Sequence, residues 1–171
     1  MTMRRALDAL YDAAGVLAAL FMVGTLAMVL AGIASRLTGW FVPGTDAYAG
    51  YCMAAAGFLA LAQTFRRGEH IRVTLVLEHL GPTARRRLEL WALTVGAALA
   101  IAFAFYSTRL AYQSWDFNDV STGNDAIPLW IPQLAMAAGT IVLAIAFVDA
   151  VVGGWRGRRA PAAPAETLHV E

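Results

Sequence analysis

The chain contains no lysine, one cysteine and little charge of either sign. Charged residues fill 15% of its 171 positions, against about 25% in an ordinary soluble domain, which argues against a water-soluble globule. A net charge of +1 gives no overall basic field of the kind that draws nucleic acid. All 13 basic residues are arginine, a bias of little functional weight because GC-rich coding produces it too. Cys52 stands alone, which excludes an intrachain disulfide and any multi-cysteine metal site. Set in an alanine-rich run, it reads as a small core residue. The three histidines, His70, His79 and His169, fall in a connecting segment and a tail. Haem or metal ligation in a membrane bundle needs them on facing helices, which disfavours a redox anchor. No phosphate-binding glycine pattern or nucleophile motif is present, and Asp116, Asp119 and Asp125 lack the spacing of a calcium loop. The expectation is a protein without catalytic residues, metal or cofactor.

What the chain does contain is apolar sequence: 59% hydrophobic residues and a mean hydropathy of +0.58. Crossing the hydrocarbon core takes about 20 mostly apolar residues in a helix. Four stretches qualify, at 13–35, 48–65, 88–106 and 129–152. The second is the shortest and richest in alanine. A cleaved signal peptide is an alternative for the first, since Gly32-Ile33-Ala34 offers a small-x-small pattern. Its apolar run is nevertheless about twice the usual 7–15 residues, so a retained helix is expected. The fold class is therefore all-α, with four transmembrane helices in a domain over 1–155. Residues 156–171 form a short polar tail without expected regular structure.

Arginine placement orients these spans. Eleven arginines lie before span one, between spans two and three, or after span four, and only Arg36 and Arg109 lie on the other side. By the positive-inside rule both termini and the segment "RRGEHIRVTLVLEHLGPTARRR" (66–87) are cytoplasmic. Within that segment Val73, Val76, Leu77 and Leu80 follow helical spacing, predicting an amphipathic helix in the interface plane, although Ile71, Val73, Leu75 and Leu77 also alternate as a strand would. Gly81-Pro82 ends the segment, and Thr83 is placed to cap the next helix. On the outer side, Asn124 or Asp125 is an expected N-cap for span four, and Pro128 fits its first turn. Pro132, one turn deeper, removes a backbone donor and is expected to weaken or kink that helix. Trp115 and Trp130 sit where interfacial aromatics belong.

The interior of the spans offers little chemistry. Ionisable residues inside a bilayer mark functional sites, yet mid-span polarity is limited to Thr25, Cys52, Thr94 and Thr140. Asp149 comes nearest, about 30 Å along span four from Pro128 at 1.5 Å per residue. It reads as a headgroup-level carboxylate paired with an arginine, or as a polar contact to a partner subunit. Small residues at 49 and 54–57, and Gly24, Ala27, Ala31 and Ser35, permit close helix approach. A membrane bundle without a site of its own fits a supporting role beside another subunit. The alternative is a small carrier acting alone as a homo-oligomer, with Asp149 as its one titratable candidate.

Two motifs sharpen this choice. "GFLALAQTFRRGEHIRVTLVLEHLGP" (57–82) resembles the signature of the small membrane subunit of tripartite ATP-independent periplasmic (TRAP) transporters, the DctQ-like family. "AIPLWIPQLAMAAG" (126–139) is similar to that family's entry into the fourth helix. Thr74 departs from the pattern, since many members carry an acidic residue there. The resemblance implies an inner-membrane scaffold for a many-helix DctM-like subunit, which binds substrate and sodium. A DctP-like periplasmic binding protein would deliver an organic acid to that pair. It also implies that Arg66, Arg67 and His70 anchor the interface segment against membrane lipids or the large subunit. Pro128, Trp130 and Pro132 would shape the docking surface, with Asp116, Asp119 and Asp125 beside it, and no nucleic acid would be involved.

Overall fold

A computed structural model describes residues 2–40, 42–67, 81–123 and 126–156. They form four helices: α1 (Thr2–Thr38), α2 (Thr45–Arg67), α3 (Pro82–Asp116) and α4 (Trp130–Trp155). Thirty-seven residues in α1 and 35 in α3 give lengths above 50 Å at about 1.5 Å per residue. Both therefore outreach a hydrocarbon core about 30 Å thick, and they begin well before the apolar stretches starting at 13 and 88. The expected interface helix over 71–80, His70 and the tail beyond Arg156 lie outside the described residues.

The helices stand in the order α1–α2–α4–α3, with α2 against α1 and α4, and α3 against α4. α1 barely meets α4, and α3 reaches α2 through an edge-to-face pair, Phe58–Phe103, with centroids 5.9 Å apart. The result is an open row rather than a closed bundle. Each outer helix touches the row along one narrow seam. On α1 the seam is Leu7, Tyr11, Ala14, Ala18, Phe21, Thr25, Met28 and Gly32, all buried or half-buried and spaced alternately by four and three. On α3 it is Ala97, Ala100, Ala104, Ser107, Ala111 and Ser114, all buried, with the same alternation. This 3-4 rhythm is coiled-coil packing, and the small side chains in it let the backbones approach closely. The other faces of α1 and α3 expose Leu20, Leu26, Leu30, Trp91, Leu99 and Phe105, among others.

Among the described residues, α1, α3 and α4 are long and apolar enough to cross a membrane, and α2 is not. The expected span at 48–65 is diluted by Tyr, Gly and Gln within its alanine run. Its place in the row accounts for this: α2 buries Ala49, Ala55, Ala56, Leu59 and Ala62 between its neighbours, so less of it need be apolar toward lipid. α2 and α4 meet backbone to backbone at Gly139, where a Cβ would fall 2.5 Å from the Phe58 carbonyl. The stacked rings of Phe65 and Phe147, 4.1 Å apart, close the same interface lower down.

The helix ends differ from the sequence expectation in three places. α3 takes Gly81 as its N-cap with Pro82 at its start, so Thr83 is already helical and caps nothing. α4 is capped at Leu129 without a side-chain bond, so neither Asn124 nor Asp125 is the cap residue. Pro128 lies outside the helix in a bridge with Val120. Pro132 then falls in the first turn of α4, where amide donors have no intrahelical partner anyway, and the helix runs on unbroken to Trp155.

Candidate functional site

Polar contacts gather at the two ends of the row. At the arginine-rich end, Arg66 in the last turn of α2 lies 2.8 Å from Asp8 Oδ1 and 3.7 Å from Asp12 Oδ1. Asp8 and Asp12 are one helical turn apart on α1, so one guanidinium spans both. The same guanidinium stands 5.5 Å from the centroid of the Tyr11 ring. Tyr11 is 2% exposed and sits among Ala14, Ala62, Val142 and Ala146 from three helices. Its hydroxyl has no hydrogen-bond partner among the described residues. Arg4 approaches Asp149 at 4.0 Å, joining α1 to α4. With the Gln63 amide turned to satisfy both its atoms, its nitrogen donates to the Tyr11 carbonyl at 2.8 Å and its oxygen accepts from Arg67 Nη2 at 3.1 Å.

This is a clasp across α1, α2 and α4. Arg66, Arg67 and Asp149, singled out in the sequence, stand within it. Asp8, Asp12 and Tyr11 are members that sequence reasoning missed. Their signal is two carboxylates at i and i+4 just ahead of an apolar run, but the complementary arginine lies far along the chain. The carboxylates of Asp8, Asp12 and Asp149 face arginines, and no cluster of His, Cys, Asp or Glu able to hold a metal occurs among the described residues.

At the opposite end the segment after α3 folds back on itself. Asn118 adopts a positive φ of 52°, turning the chain so that the Asp119 amide donates to the Ser114 carbonyl at 2.9 Å. The Leu129 amide donates to the Asp119 carbonyl, and the Ser121 amide to Ile127. Tyr51 Oη donates to Ser121 Oγ at 2.9 Å, tying the loop to the start of α2. Asp116, Asp119 and Pro128 are exposed, and Trp130 and Pro132 are half-buried. Asp125 lies outside the described residues. Trp115 and Phe117 are exposed beside these acids. A further pair, Arg36–Asp46 at 3.3 Å, links α1 to α2 at this end.

Between the ends the hydroxyls are spent locally. Thr25 donates to the Phe21 carbonyl, Thr94 to Leu90 and Thr140 to Met136, the usual back-bonding of helical threonine. Ser107 Oγ and Gln133 Oε1 are buried without partners among the described residues. No described Asp, Glu, Arg or His lies between these two polar ends on α2, and Asp149 is drawn into the clasp.

Residues 25–157 match the family of tripartite ATP-independent periplasmic transporters, DctQ component. The match covers well over half of the chain. The chain belongs to the DctQ family. It is a multi-pass inner-membrane component of a TRAP transporter, in the small-subunit role, and not an enzyme. No curated protein shows significant similarity to it. Membership of the DctQ family implies work alongside DctM-like and DctP-like proteins.

Proposed function

We propose that this chain is the static scaffold of a TRAP transporter, bracing a DctM-like subunit during sodium-coupled uptake of an organic acid. In this reading all four helices cross the membrane, both termini are cytoplasmic, and the loop after α3 faces the periplasm. The observation that supports it is the open row. α1 and α3 each bury one seam and present broad apolar faces, and among the described residues there is no cluster of His, Cys, Asp or Glu able to hold a metal ion. Such a body offers a neighbouring helical protein a broad apolar surface to rest against. The outer loop, held by Tyr51 and the Ser114–Asp119 turn, offers Asp116, Asp119, Pro128 and Trp130 as a rim for a DctP-like binding protein.

The test is capture of the tagged full chain from native membranes in mild detergent. Recovery of a near-equimolar, many-helix membrane protein is the expected result. Recovery of the chain alone as a stable oligomer, with reconstituted uptake of its own, overturns the scaffold reading.

A further inference from the structure

A groove of about 450 Å³ runs between α1 and α2 at the arginine-rich end, within the roughly 300–1,000 Å³ common for ligand pockets. Val16 and Ala19 of α1 and Ala60 of α2 form its apolar walls, and Asp12, Gln63 and Arg67 stand at its mouth. Thr64 also borders the groove, but its hydroxyl is spent on the Ala60 and Leu61 carbonyls.

The two arginines ending α2 are used differently. Arg66 is committed to Asp8 and Asp12. Arg67 has no carboxylate within 4.0 Å among the described residues and is steadied by Gln63 at 3.1 Å. Asp12 has a side chain 67% exposed, with Arg66 as a long partner at 3.7 Å. The groove therefore presents a guanidinium with no carboxylate partner among the described residues beside one accessible carboxylate, at the end of an apolar trough.

Inorganic phosphate could meet Arg67 but would leave the trough unfilled. A fatty acid would fill the trough but set its carboxylate against Asp12. An anionic glycerophospholipid meets the same repulsion from Asp12. An aminophospholipid answers all three features: acyl chain along Val16, Ala19 and Ala60, phosphate on Arg67 by charge-assisted hydrogen bonds, and ammonium toward Asp12. We propose that the α1–α2 groove is a phospholipid site selective for a zwitterionic headgroup bearing a primary amine, such as phosphatidylethanolamine. The broader arginine-rich surface attracts anionic lipid without discrimination, and the carboxylate at the mouth reverses that preference locally.

The experiment reconstitutes the full chain in bilayers of equal phosphatidylethanolamine, phosphatidylglycerol and phosphatidylcholine. The chain is then extracted gently and its retained lipid counted by native mass spectrometry. The wild type retains phosphatidylethanolamine at least 5-fold above its share. D12N still retains phospholipid but loses the headgroup preference. R67Q removes the guanidinium and A60F fills the trough, and each loses retention at least 5-fold. A19F blocks the trough from the other wall should A60F not fold. Inorganic phosphate alone leaves the thermal unfolding midpoint unchanged. The proposal is overturned by absence of retained lipid, by preferential retention of phosphatidylglycerol, by wild-type retention in R67Q and A60F, or by stabilisation from inorganic phosphate equal to that from lipid. A disulfide between A60C and a large-subunit helix in the assembled complex, with lipid absent, assigns the groove to protein and equally overturns it.

Discussion

Arg66 carries more of the arginine-rich end than any other side chain, because it faces two carboxylates and an aromatic ring at once. Each ion pair is partly exposed, which limits its worth to about 0.2–1 kcal/mol, and an exposed cation–π contact adds about 0.5–1 kcal/mol. Arg66→Ala is therefore expected to cost about 1–2 kcal/mol, and a double-mutant cycle with Asp8→Ala should return a coupling of about 0.5–1 kcal/mol. Thermal unfolding of the four variants in one detergent measures this, and a coupling of zero would mean that the 2.8 Å contact contributes nothing. Gly139 is a residue of another kind. Its missing side chain is the contact, since a Cβ there would lie 2.5 Å from the Phe58 carbonyl. Gly139→Val should force α2 and α4 apart at a cost of about 1–3 kcal/mol or more, seen as loss of monodisperse protein on size exclusion. By contrast Gly57→Ala, into open space, should leave elution unchanged.

At the scale of the element, α2 is the instructive case. Its alanine run reads as a span by length and lack of charge, yet it falls short of the apolarity that the other three helices reach. The reason is visible only once the row is assembled, because α2 lies between α1 and α4 and buries residues on both sides. Whether it crosses is decided by labelling. In a Cys52→Ala background, Asp46→Cys should react with a membrane-impermeant thiol reagent added outside cells, and Arg67→Cys should not. Equal labelling of both would place the ends of α2 on one side. The loop after α3 gives a second prediction at this scale. Tyr51→Phe deletes the hydrogen bond to Ser121 Oγ, worth about 1 kcal/mol, so amide exchange over 119–123 should quicken roughly 5-fold while that of α3 stays constant.

The same elements show what is legible in the sequence. The four described helices and the approximate apolar limits of α1, α3 and α4 follow from hydropathy, and the DctQ family from two motifs, because these are local properties of the chain. The start of α4 is not legible in this way: Pro128 suits a first helical turn, whereas a bridge to Val120 keeps it outside. The clasp at Arg66 is half legible, since Arg66, Arg67 and Asp149 stand out as charges beside apolar runs. Asp8 and Asp12, more than fifty residues before Arg66, become partners only through the antiparallel register of α1 and α2, which the seam on α1 sets.

For the whole molecule the decisive property is that the row does not close. α1 and α3 stand at opposite edges without substantial contact, and each exposes a ladder of large apolar side chains. In a membrane such a face is stable against lipid or against protein, and the hydrophobic effect does not choose between them, since lipid tails are as apolar as leucine. Shape chooses instead. A face that packs on another helix needs fitted side chains, while a lipid face accepts any apolar bulk. Tryptophan substitution separates the two: Leu20→Trp and Leu30→Trp probe the α1 edge, and Leu99→Trp and Ala102→Trp the α3 edge. One edge should lose capture of the large subunit at least 5-fold when substituted, and the other should tolerate tryptophan throughout. If both edges tolerate it, the partner is held by the flat side of the row or by its polar ends, and the scaffold acts through Arg66, Arg67 and the outer loop rather than through its apolar edges.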